Sequence, residues 1–169
     1  MITKYSIKNF KKYKATLLNQ IDKMPEVSSG EDNNVKINKS DWYLNSSYGR
    51  TYVKTFFEMV KPFIDFISNK NKVKVVITNC WFSQYNNNDY HGWHTHPDCH
   101  FSNVFYLELP KNIPHTEIQN LNIKELNIKE GDILSFPAYL VHRSPFFKCK
   151  KRKTIIAFNT IFLPLESDS

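Results

Sequence analysis

Along the first part of the chain, apolar residues recur at intervals of three and four; further on they alternate. Over residues 8–24, Phe10, Tyr13, Leu17, Ile21 and Met24 fall on one face of a helix, which Pro25 stops. Residues 26–41 are polar, with Ser28-Ser29-Gly30 and Asn33-Asn34, and read as a loop. A second helix fits residues 49–68, with Tyr52, Phe56, Met59, Phe63 and Ile67 on one stripe. Pro62 lies inside it and predicts a kink or a break into two shorter helices, because proline removes a backbone donor and crowds the preceding turn.

From residue 73 the period shortens. Val73, Val75 and Ile77 alternate with Lys74, Val76 and Thr78, and the run continues through Cys80-Trp81-Phe82. Strand-like segments follow at 101–109, at 132–136 after the Glu130-Gly131 turn, and at 153–163, punctuated by Pro110, Pro114, Pro137 and Pro145. Two helices followed by six to eight short strands make an α+β layout, in which helices cover one face of a β-sandwich or open barrel. The length suits a single domain over 1–169, with 1–70 mainly helical support and 71–165 a β-core. A tandem pentapeptide, LNIKE at 121–125 and again at 126–130, has an odd period. It cannot keep one face within a regular strand and reads as a local duplication spanning a loop and a strand start.

Composition narrows the class. Apolar residues make up 41% of the 169, enough for a buried core, and only four are glycine. No apolar run approaches the roughly 20 residues that span a bilayer, and the basic start lacks an apolar stretch, so a cytoplasmic protein with no membrane partner is expected. The net charge of +7 raises nucleic acid as a partner. Much of that excess, however, is the run Lys148–Lys153, which reads first as a solvated loop. Three cysteines, Cys80, Cys99 and Cys149, without CxxC spacing are expected to be reduced thiols.

The chemistry concentrates in residues 85–110. Four of the six histidines, His91, His94, His96 and His100, fall within ten residues. Side chains at i and i+2 of a strand share a face, so His94 and His96 can reach one ion. Asp98 and His100 continue that parity, although Pro97 is placed to end the strand first. Downstream, EGDILSFPAYLVH (130–142) gives a turn, a short apolar strand and a further histidine, His142. Two ligands from one strand and a distant histidine from another form a facial triad, which leaves coordination positions open. A cation further along the last strand would hold an anionic cosubstrate.

In these segments the chain resembles the 2-oxoglutarate- and iron(II)-dependent oxygenases, specifically their prolyl-hydroxylase-like branch and its small phage and marine-bacterial members. The resemblance rests on Trp81–Tyr85, YHGWHTHP at 90–97, Ser102–Leu109, EGDILSFP at 130–137, His142, and Lys153–Asn159. It implies a double-stranded β-helix, jelly-roll or cupin-like, with iron(II) held by an His-x-Asp/Glu pair and a distal histidine. It further implies a Lys or Arg about ten residues later for the far carboxylate of 2-oxoglutarate, with oxygen and an unknown substrate as the other partners. His142 matches the distal ligand. Lys153 is the preferred anchor and Arg152 the alternative. Tyr85 and Tyr106 stand where family tyrosines line the cosubstrate pocket, with core packing as the competing role. No catalytic residue beyond the metal ligands is implied. The chain departs from the pattern at the first ligand pair: His94-Thr95-His96 puts histidine where a carboxylate is usual, whereas His96-Pro97-Asp98 supplies His-x-Asp two residues later. The triad His94, His96 and His142 is preferred, with Asp98 the rival carboxylate.

The reading is thus a hydroxylase coupling oxidative decarboxylation of 2-oxoglutarate to oxidation of a substrate C–H bond. A cupin-like metal binder of another kind is less consistent, since Glu108 lies twelve residues past His96. A zinc hydrolase would need more carboxylate ligands. A nucleic-acid-binding module would rest on the basic loop with Phe146-Phe147 before it. His91, His100 and His115 are expected in solvent-facing or supporting roles.

Overall fold

The computed structural model describes residues 1–26, 34–45 and 47–165. Two antiparallel sheets face each other, and two helices cover the outer face of the larger one. The elements are β1 (Thr3–Ser6), α1 (Phe10–Asp22), β2 (Val35–Lys36), β3 (Lys39–Ser40), α2 (Thr51–Asn71), β4 (Val73–Tyr85), β5 (Tyr90–His94), β6 (Phe101–Glu108), β7 (Glu117–Ile118), β8 (Asp132–Pro137), β9 (His142–Ser144) and β10 (Lys153–Pro164). The six-stranded sheet runs β1-β8-β6-β10-β4-β3 and the four-stranded sheet β2-β5-β9-β7. The α+β reading holds.

Alternation along the strands sorts the large sheet into two faces. Phe82, Phe105, Leu107, Ile133, Ile156 and Phe158 point toward the helices and pack with Leu17, Ile21, Tyr52, Phe56 and Phe63. Their neighbours Tyr85, Val104, Tyr106, Leu134, Phe136 and Ile155 point the other way, into a second apolar cluster beneath the small sheet. Because both faces are covered, β8 is buried along its whole length and β10 over Lys153–Thr160. That is why both read as continuous apolar runs rather than as clean alternation.

The helices follow their predicted stripes, with one difference. α2 runs unbroken through Pro62. Pro62 and Glu58, whose carbonyl loses its partner, are both on the exposed side, so water can serve that carbonyl. Tyr52, Phe56, Met59 and Phe63 pack on the sheet on either side of it. α1 ends where the buried ammonium of Lys39 donates to the carbonyls of Ile21 (3.0 Å) and Asp22 (3.1 Å), a cation set at the negative end of the helix.

The N-terminal part adds three short strands to its two helices. Part of the predicted loop, 27–33, lies outside the described residues; within the rest, Val35–Lys36 pair with β5 and Lys39–Ser40 with β4. The pentapeptide repeat stops at Glu130, before β8 begins, so neither copy starts a strand. Its copies differ in backbone, a 3-10 turn at Lys124–Leu126 and a left-handed Asn127 at its end, yet Ile123 and Ile128 both enter the second apolar cluster. In a chain so poor in glycine, Asn88, Asn112, Asn120 and Asn127 supply left-handed turn positions. No helix among the described residues is long and apolar enough to cross a membrane.

Asp41 knits the segment before α2 to the sheet. It is fully buried and accepts hydrogen bonds from Arg50 Nε (2.8 Å), the Tyr52 hydroxyl (2.7 Å) and the backbone N–H of Phe82 (2.8 Å). Asp41→Ala leaves a buried guanidinium, phenol and amide without their acceptor, and is expected to cost about 3–5 kcal/mol of stability in urea denaturation. Tyr52→Phe, which removes only one donor, is expected to cost about 1 kcal/mol.

Candidate metal centre

The histidines come together because two strands pair around a bulge. β5 and β9 are antiparallel, with His94 opposite His142 and His91 opposite Ser144. Two residues on β5, Gly92 and Trp93, therefore stand against one on β9, Arg143. The extra residue shifts the parity, so His91 and His94, three apart, share a face and stack at 3.7 Å between ring centroids and 8° between planes. Gly92 makes the bulge possible: a Cβ there would stand 1.7 Å from Asn34 Oδ1 and 2.9 Å from its carbonyl oxygen, which accepts the Gly92 N–H at 2.7 Å.

One ligand atom from each of His94, His96 and His142 lies within 4.8 Å of the others. The ring of His94 is 5.0 Å from His96 and 4.3 Å from His142, and His96 is 5.1 Å from His142. Trp81 backs His96 at 5.4 Å and Phe136 backs His142 at 4.7 Å. Carbonyls fix the tautomers: Nδ1–H of His94 donates to Gly92 O (2.7 Å) and Nδ1–H of His142 to Leu140 O (3.0 Å). A carbonyl can only accept, so both rings present an unprotonated Nε2.

Burial holds all four clustered imidazoles neutral. It pushes His91 and His142 down to about 3 and His96 to about 4, their mutual repulsion adding to the effect, and lowers His94 against the opposing pull of Gly92 O. Convergent neutral imidazoles fit a divalent transition ion such as iron or zinc.

Lys153 stands beside this cluster, at the start of β10. It is 1% exposed; its ammonium donates to Ser144 Oγ (2.6 Å) and Pro114 O (3.2 Å) and lies 4.7 Å above the Tyr85 ring and 5.5 Å above Phe147. No carboxylate pairs with it among the described residues, and burial lowers it to about 7. Ser144 is two residues from His142, hence on the same face of β9 and about 7 Å along it. The lysine's partner and the histidine therefore line one cavity, with Tyr85 and Thr116.

The remaining candidates are placed elsewhere. Arg152, next to Lys153 and so on the other side of the strand, is ion-paired with Glu108 (2.8 Å) and Asp22 (3.1 Å). Asp98 sits exposed in a left-handed turn after Pro97 and is outside the convergent set; the strand has ended at His94, so its parity with His96 no longer applies. Tyr106 is buried with its hydroxyl locked to Thr116, donating to Oγ1 (2.9 Å) and accepting from the N–H (3.0 Å). His100 accepts from the Phe162 N–H (2.8 Å) near the far end of β10, and His115 lies beside its own strand connection at Thr116 O (2.6 Å). Sequence reasoning gave His91 only a solvent-facing or supporting role and passed over Ser144. Gly92 inside a strand was the available signal for the first; nothing marked the second.

The fold has solved counterparts. A 2OG-Fe(II) oxygenase family oxidoreductase from Burkholderia pseudomallei superposes with a TM-score of 0.64 at 12% identity, covering 87% of this chain and 78% of that one. A collagen prolyl hydroxylase of Paramecium bursaria Chlorella virus-1, solved with 2OG, gives 0.56 at 14% over 94% of each chain. A Trichoplax adhaerens prolyl hydroxylase, solved with a hypoxia inducible factor peptide, gives 0.57 at 12% over 95% and 83%. This chain shares their fold. No protein-family model and no curated protein matches the sequence.

Gly92→Ala is expected to displace the bulge and weaken zinc or iron(II) binding at least about tenfold, measured by chelator competition, while the far-ultraviolet circular dichroism stays unchanged. A second expectation concerns pH. Below about 6.5 the unfolded chain takes up protons on these histidines that the folded, metal-free chain refuses until about 3–4. The melting temperature of the metal-free protein should therefore fall as pH drops from 6.5 to 4.5, and less steeply in His91→Gln.

Proposed function

We infer that this chain is a 2-oxoglutarate- and iron(II)-dependent oxygenase, most simply a hydroxylase, built on a double-stranded β-helix. His94, His96 and His142 would hold the iron, and Lys153 the far carboxylate of 2-oxoglutarate, with Ser144 and Tyr85 beside it. The observation that carries the reading is a convergent neutral histidine triad sharing a cavity with Ser144, whose hydroxyl accepts from a buried lysine that has no carboxylate partner among the described residues. Two of the similar structures are prolyl hydroxylases, one of them solved with 2OG, which favours hydroxylation as the reaction class.

Iron(II) and 2-oxoglutarate, when bound, would supply the oxidising chemistry with dioxygen as the oxidant: one oxygen atom would go to succinate as 2-oxoglutarate loses carbon dioxide, and the other into the substrate C–H bond. The chain's part is positioning. Carbonyl-fixed tautomers aim Nε2 of His94 and His142 inward without rearrangement, and aromatic walls at Trp81 and Phe136 hold the rings and exclude water. Lys153 needs a carboxylate, and a short dicarboxylate chelating at one end has its other carboxylate within reach of the strand position two residues away.

The nucleic-acid reading loses its footing. Of the basic run, Lys153 is buried and Arg152 paired, and Phe147 is packed under Lys153, so only Lys148, Lys150, Lys151 and Phe146 remain at the surface.

Anaerobic titration of metal-free protein with iron(II) and 2-oxoglutarate is expected to give a visible charge-transfer band saturating at one equivalent. His142→Ala should abolish it, and Lys153→Ala should weaken 2-oxoglutarate about 10- to 100-fold. A wild-type protein giving no band refutes the reading. Because the free lysine titrates near 7, 2-oxoglutarate binding should draw in up to one proton above that pH and weaken as pH rises. Lys153→Arg should flatten that dependence, as calorimetry in buffers of different ionisation enthalpy will show.

A further inference from the structure

The charges around the cavity do not balance. Its lining comprises imidazoles, hydroxyls, amides and apolar groups together with one arginine, and no carboxylate is among the described lining residues. That arginine, Arg143, is met by Glu117 at 2.7 Å and lies 4.4 Å over Trp93, so it brings no uncompensated charge. The other nearby acids are engaged as well. Glu108 takes Arg152, and Asp89 caps the N–H of Asn86 (2.7 Å) and faces Lys36 (3.9 Å). Asp98 is exposed in its turn on the outer side, in a groove shared with His96 and Tyr139, where water screens it.

The inference rests on the oxygenase reading: a divalent ion held by three neutral imidazoles keeps both its positive charges, and Lys153 adds a third. The 2-oxoglutarate dianion cancels two. With a carboxylate in the triad the site would close at neutrality; with histidine in that place one positive charge is left in a partly buried cavity, an unfavourable state unless an anion meets it.

We propose that the three-histidine cavity selects a small-molecule substrate carrying one anionic group, a carboxylate or a close equivalent, which supplies the negative charge that the ligand set omits. His96, at the position where the usual pattern has a carboxylate, determines this selectivity through its neutrality.

Cobalt(II)-loaded wild-type protein with saturating 2-oxoglutarate, titrated at constant ionic strength with acetate, acetamide and chloride, tests the proposal through the cobalt d–d spectrum and calorimetry. Acetate is expected to bind saturably at one equivalent, at least tenfold more tightly than acetamide and more tightly than chloride. His96→Asp, which restores the missing charge, should weaken acetate about 100-fold, whereas Asp98→Asn should leave it unchanged. His94→Asp serves if His96→Asp fails to take up cobalt, and the acetate-to-acetamide ratio in wild type decides the matter without any variant. Equal binding of acetate and acetamide, or undiminished acetate binding in a cobalt-loaded Asp variant, overturns the proposal. Loss of acetate binding in Asp98→Asn overturns it too, by making Asp98 part of the site. Chloride binding more tightly than acetate overturns the assignment to an organic substrate. Failure of 2-oxoglutarate to bind the cobalt protein would instead refute the oxygenase reading itself.

Discussion

A lysine ammonium removed from water without a counter-ion is costly, and this fold holds one at the first residue of a strand buried on both sides. Lys153 is kept there by a hydroxyl, a carbonyl and the faces of two aromatic rings, partners that solvate a cation but do not neutralise it. An apolar residue at that place would be the cheaper choice for stability alone. In the proposed function an anion completes that charge, and the architecture connects it to the histidines: Ser144, which touches the ammonium, shares its face of β9 with His142, which faces the other histidines. The histidine triad and the buried lysine are thus registered by one three-residue strand.

That registration divides the large sheet by function. Its helix-facing residues, Phe82, Phe105, Ile156 and Phe158, form the apolar interior with α1 and α2, while Tyr85, Lys153 and Ala157 on the opposite side approach the cavity. Strand alternation lets one element do both, and a one-residue slip in β10 would turn its helix-facing residues toward the cavity and bury Arg152 in place of Lys153. The long antiparallel register of β10 with β4 and β6 resists such a slip.

Most of this was legible in the sequence where physics is local. The helical stripes and the apolar strands around 101–109, 132–136 and 153–163 depend on short-range periodicity; the convergence of His94, His96 and His142 does not, since β5 ends at His94 and His142 arrives by strand pairing. What was not legible depended on pairing between distant segments. The neighbourhood of His91 and His94 needs a bulge, and a bulge is defined only against its partner strand. β1, β2, β3 and β9 are too short to carry a periodic signal of their own and exist because a longer strand offers them an edge. Pro62 misled for a related reason: its local cost was real, but the packing of α2 against the sheet outweighed it. Spacing alone left Lys153 and Arg152 side by side; the structure puts them on opposite sides of β10, Lys153 buried and Arg152 paired with Glu108 and Asp22.

The histidine in place of a carboxylate is the least expected part of the pattern, and its surroundings fit neutrality. An aspartate at 96 would face the Trp81 ring and two imidazoles held neutral by burial. A neutral imidazole needs no such support. In the proposed function, substituting it would transfer the burden of charge compensation from the protein to whatever enters the cavity, so that metal, cosubstrate and substrate would be electrostatically interdependent rather than independently accommodated. In such a site the ligand set and the specificity are one problem, solved by the same residue.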